Sequence, residues 1–106
     1  MPAKNEKAEA LLIALRSKPA LQHELTFYAS FAQKSFIIMQ REGSEKEGFV
    51  RLQQSFREAV EKVRTILGEA KMAGFPANEY LELSPAGMAN LMDLIGELAH
   101  IHQANL

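Results

Sequence analysis

Cysteine is absent from these 106 residues, and so is tryptophan. The first absence excludes disulfides, thiolate zinc sites and a cysteine nucleophile together. Charge of one sign is also lacking: 12 basic and 13 acidic residues are interspersed to a formal net charge of −1. No basic block or stripe stands ready to neutralise phosphates, so nucleic acid is not an expected partner. Long apolar runs are missing too. The longest, Ala10 to Leu15, has six residues, against the roughly 20 needed to span a bilayer. The N-terminal MPAKNEKAEA is charged and carries no apolar signal-peptide region; no membrane partner is expected, and the expected compartment is the cytoplasm. A phosphate-cradling glycine loop, an H-E-x-x-H and a recognisable Ser/His/Asp context are all wanting. No catalytic residue, cofactor or metal ligand is therefore expected, and the chain reads as a non-enzyme.

What is present suits one folded domain spanning residues 1–106, with 47% apolar and 24% charged residues. Proline, glycine and serine divide it into four helical segments. The first runs from about Ala3 to Arg16, with Ala8, Leu11, Leu12 and Leu15 on one face. Pro19 ends it and suits the first turn of a second helix that reaches Arg41 before Gly43. Ser44-Glu45-Lys46-Glu47 reads as a capping box opening a third helix, which continues to about Ala73. Within it Phe49, Leu52, Phe56, Ala59, Val63, Ile66 and Ala70 step by 3 and 4 alternately, a seam of coiled-coil type. Residues 74–83 form a connector with room for one short helical turn after Pro76. Ser84-Pro85 then caps a fourth helix reaching about Gln103. The expected fold is all-α, an up-down four-helix bundle with a short first helix and long antiparallel second and third helices.

The second helix is apolar over too wide an angle. At about 100° per residue, Phe27, Phe31, Ile38, Tyr28, Met39, Leu25, Phe36 and Ala29 fill an arc of about 200°, while Ile37 falls among polar residues. A short first helix covers only part of that arc. Two readings follow: the second helix is the central element of its own bundle, or part of the arc meets another chain. The second reading is favoured, with Phe27 and Phe31 on the shoulder of that part and Ile37 and Ile38 further along. Two-fold dimers are the commonest oligomers, so the expected partner is a second copy.

The polar candidates are few. Glu97-Leu98-Ala99-His100 is a single E-x-x-H, where di-iron bundles use two. Glu97 and His100 also lie with Asp93 on the polar side, opposite Leu91, Ile95 and Leu98, which reads as a solvated face. His102 instead continues the apolar stripe of that helix. An up-down bundle sets it against the end of the second helix and the start of the third, near Glu42 and Glu45, with His23 at the far end. Glu24 falls inside the apolar arc of the second helix, where a buried carboxylate can act as an acid or base. His102 and Glu24 are thus the candidate ligand contacts. Histidine phosphotransfer bundles resemble the expected architecture, but lysine and then glycine or serine follow their histidine, as they do at none of His23, His100 and His102.

The functional expectation is a non-enzymatic interaction module, a homodimer that binds another protein as an adaptor or regulator. Its rival is a small-ligand or metal-binding bundle with a core pocket near His102.

Overall fold

Helix boundaries follow the local chemistry of the chain. The computed structural model describes residues 6–43 and 48–105, with the backbone alone for Glu42. It holds α1 (Glu6–Ala14), α2 (Pro19–Glu42), α3 (Phe49–Met72), α4 (Asn78–Leu81) and α5 (Pro85–Ala104). The described residues form no strand. Among them no helix is long and apolar enough to cross a membrane.

Pro19 stands at the first position of α2, where its missing N–H is no loss. The box Ser44–Glu47, expected to open α3, lies outside the described residues. Ser84 caps α5, its Oγ accepting from the Gly87 N–H at 3.0 Å, with Pro85 first in the helix. At the end of α3, Gly74 takes φ 101° and donates to Lys71, while the Phe75 N–H reaches back to the Ala70 carbonyl. These two bonds are a Schellman ending, which favours glycine at the left-handed position and an apolar residue just after it. Phe75 is that residue, and it is buried.

That ending makes the connector part of the core. Phe75, Ala77 and Tyr80 are buried, and the Phe75 and Tyr80 rings stack at 5.9 Å. α4 is the short turn expected after Pro76, here tied to α3 by Arg64 Nη2 donating to the Leu81 carbonyl at 2.9 Å. It is tied to α5 by Asn90 Nδ2 donating to the Glu79 carbonyl.

The direction of α5 differs from expectation. α2 and α3 are antiparallel, as expected: Phe36 stacks on Phe56 toward one end, and Lys18 pairs with Glu69 at the other. Gln33 also lies beside Gly96, and His23 beside His102, so α5 descends as α2 rises. An alternating up-down order would run α5 in the same sense as α2. The connector 74–83 explains the reversal, because its buried Phe75, Ala77 and Tyr80 pack it against α3 and α5 instead of letting it turn tightly at the end of α3.

α2 is the central helix, packed against both α3 and α5. Its buried positions are Leu25, Thr26, Ala29, Ser30, Ala32 and Ser35, a set dominated by small side chains. This corrects the apolar arc: Thr26 and Ser30 lie inside, whereas Phe27, Phe31, Phe36 and Ile38 are exposed, as is Ile37 outside the arc. The physical reason is distance. Side-chain size at the contact sets how closely two helix axes approach, and small residues allow the near limit on both flanks. The Thr26 hydroxyl meets its needs locally by donating to the His23 carbonyl at 3.1 Å. α3 contributes Ala59, Val60, Val63, Ile66, Leu67 and Ala70, and α5 contributes Leu91, Leu94, Ile95 and Leu98. α1 lays Ala8, Leu11 and Leu15 onto this core.

Two glycines separate strain from freedom. A Cβ on Gly87 would collide with the Glu82 carbonyl, whereas nothing lies within 4 Å of one on Gly68. Gly87→Ala is expected to cost about 2 kcal/mol or more through the forced backbone shift. Gly68→Ala, inside α3, should stabilise by about 0.5–1 kcal/mol. Urea midpoints of the two variants check this, and equal shifts in one direction would refute the packing described.

Candidate interaction surface

With α3 and α5 occupying two sides of α2, its third side has no neighbour among the described residues. Phe27, Phe31 and Ile38 are found there, while Ile37 lies about 100° round the helix from Ile38, between the directions of Thr26 and Ser30 and near the helix end. Phe27, Phe31, Ile37 and Ile38 keep 46%, 44%, 43% and 39% of their surface in water, more than isolated core-facing residues would. Phe27 and Phe31 are one helical turn apart, and Ile38 lies two turns beyond Phe31, so the three share a stripe. Single exposed apolar residues are ordinary, but a contiguous row on one helix face marks contact surfaces. Phe36 is the exception among the large residues, since its ring stacks on Phe56 of α3 at 5.7 Å.

A groove of about 260 Å³ runs beside the stripe, walled by Phe27, Tyr28 and Phe31 from α2 and by Ser55, Glu58, Ala59 and Lys62 from α3. The Phe27 and Tyr28 rings meet edge to face at 5.3 Å, which holds the wall in place. The groove is apolar on its α2 side and bears one charge of each sign on its α3 side.

The polar candidates are rearranged by the direction of α5. His102 is half-buried and packs its ring 6.5 Å from that of His23 and 6.2 Å from that of Phe27. His23 is thus its neighbour rather than a residue at the far end, because the C-terminus of α5 lies at the N-terminus of α2. The Glu42 side chain and Glu45, its expected partners, lie outside the described residues. The two histidines border a depression of about 370 Å³ that Leu12, Thr26 and Ile101 also line. Nothing in the spacing of His23 and His102 along the chain signals this pairing; only the course of α5 creates it.

Glu24 is exposed, not buried in an apolar arc, and borders a separate depression with Leu21, Tyr28, Lys62 and Glu69. The structure therefore does not bring Glu24 and His102 together. Among the described residues no group of three or more histidine, aspartate or glutamate side chains is placed to hold a metal ion. Glu97 has a structural task that its polar position hides: its Oε1 accepts from the Ala8 N–H at 3.2 Å. A carboxylate there meets one of the unpaired donors in the first turn of α1 and favours the positive end of that helix. His100 is exposed.

Comparison with protein-family models, with curated proteins and with solved structures found no match for this chain.

Glu97 also bears on Tyr80. Burial, and then the charges of Glu79 and Glu97, push the Tyr80 phenol well above its ordinary value of 10.0. The folded chain then holds a proton that the unfolded chain releases above about pH 10, so stability present below that pH is lost as pH rises. Tyr80→Phe removes the titrating group, and its stability should fall less between neutral and strongly alkaline pH than that of the parent. Chemical denaturation on both sides of the tyrosine range measures this. Equal alkaline losses in the two proteins would contradict it.

Proposed function

We propose that this chain is a non-enzymatic helical interaction module of the cytoplasm, acting as a homodimer that serves another protein as an adaptor or regulator. The observation that carries the reading is the exposed stripe of Phe27, Phe31 and Ile38 on the outer side of α2, with Ile37 exposed near the end of the helix on another side. A chain without cysteine also draws nothing from an oxidising compartment, in keeping with a cytoplasmic setting.

Magnitudes set the class of association. Full burial of such a side chain returns about 1.5–3 kcal/mol, and somewhat under half of each is still exposed, so each recovers about 1 kcal/mol on contact. Phe27, Phe31 and Ile38 from each of two copies amount to about 6 kcal/mol, against an association cost of about 4–15 kcal/mol. The balance describes a weak dimer that forms with rising concentration. Sedimentation or light scattering from micromolar to millimolar protein should show mass rising toward twice that of one chain. Phe31→Gln combined with Ile38→Gln should weaken this about a thousandfold, two residues being lost from each copy at about 1 kcal/mol apiece. The thermal melt of the dilute chain should change little. A wild-type chain that stays monomeric throughout removes the homodimer.

A second reading has one observation behind it, the 6.5 Å approach of the His23 and His102 rings. Two imidazoles on adjacent helices can chelate a borderline divalent ion, with water completing its shell. Micromolar zinc would then raise the melting temperature of the wild-type chain and not that of His23→Ala, since binding to the folded state stabilises it. Equal responses in both would end this reading.

A further inference from the structure

On the exposed side of α2, Glu24, Phe27, Phe31, Lys34, Ile38 and Arg41 follow one another at steps of 3, 4, 3, 4 and 3. All six are exposed. Alternating steps of this kind make the seam of a two-stranded coiled coil, with a period of 3.5 residues. α3 spends its own seam on the core of the chain, burying Ala59, Val63, Ile66 and Ala70. The seam of α2 is bordered by α3 on one side and by His102 of α5 near Phe27, and among the described residues its outward part is left open.

We infer that its occupant is α2 of a second copy, lying antiparallel about a two-fold axis that passes between Ala32 and Gln33. The inference rests on the reading of this face as a self-contact surface, and charge placement decides the orientation. Antiparallel pairing about that axis sets Glu24 opposite Arg41 of the second copy, Phe27 opposite Ile38, and Phe31 opposite Lys34. The two-fold repeats each contact, so the acidic end of one seam meets the basic end of the other twice. Phe31 and Lys34 are also compatible, because the lysine stem lies along the ring and its ammonium is drawn to the ring face. Parallel pairing in register instead faces Glu24 with Glu24, Lys34 with Lys34 and Arg41 with Arg41. The same charges that favour one orientation oppose the other.

Charge exchange on the full chain tests the register. Glu24→Arg alone and Arg41→Glu alone each set like charges at both ends, and each should weaken self-association about tenfold in sedimentation equilibrium. An equimolar mixture of the two single variants restores opposite charges at both ends and should associate about as well as the parent. Loss of folding cannot imitate this, because mixing does not repair an unfolded chain. Single variants that self-associate like the parent, or that stay weak when mixed, overturn the antiparallel register and leave the self-contact reading standing. A parent chain that remains monomeric at every concentration overturns both.

Discussion

Close packing of α2 between α3 and α5 is the constraint on which the rest of the molecule depends. Both flanks of α2 meet a neighbour, and the residues there are Ala29, Ser30, Ala32 and Ser35 with Leu25 and Thr26. Small side chains let helix axes approach, and a close approach leaves little volume for anything larger. Among the described residues of α2, Leu25 is the one large side chain that is fully buried. Phe36 finds shelter on Phe56, while Phe27, Phe31, Ile37 and Ile38 each keep a little under half of their surface in water. Enlarging Ala29 or Ala32 would force the flanking helices apart, with nothing beyond them to take up the movement.

The remaining joints keep that packing in place. The Schellman ending at Gly74 aims Phe75 inward, where it stacks on Tyr80, and the connector becomes a plug for the space between α3 and α5. Gly87 lets the chain pass beside the Glu82 carbonyl into α5 without a Cβ in the way. Glu97 on α5 then receives the first turn of α1, and Gln22 on α2 donates to the Leu12 carbonyl near its end at 2.6 Å. A nine-residue helix is too short to be stable in isolation. It is held by these two polar contacts and by Ala8, Leu11 and Leu15 against the core.

Features decided by local chemistry were legible in the sequence. Pro19, Gly43 and the Ser84-Pro85 cap mark real helix ends, and the seam of α3 lies inside from Ala59 to Ala70, while Phe49, Leu52 and Phe56 are only partly covered. Features decided between elements were not. No local signal sets the sense of α5, and from that one error followed the wrong neighbours for His102. The wheel of α2 also misled, because hydrophobicity ranks Phe27 and Ile38 above Ser30 and Ser35, while interhelical distance ranks them the other way. The wide apolar arc was a true signal with the wrong centre. Its excess lies opposite the two flanks, in the row from Phe27 to Ile38.

The contrast between the outer sides of α2 and α3 makes that excess informative. α3 presents Arg57, Glu58, Glu61 and Lys62 to water, as an amphipathic surface helix should. Nothing about helix formation prevented α2 from doing the same, since its buried positions are others. The exposed parts of Phe27, Phe31, Ile37 and Ile38 add nothing to the interior described above, although the rest of each side chain is covered by its own chain. An apolar stripe on the outer side of α2 is what the proposed contact with a second chain would use. Glu24 and Arg41 close that row with opposite charges at its two ends, which makes a second copy of the same helix its simplest complement.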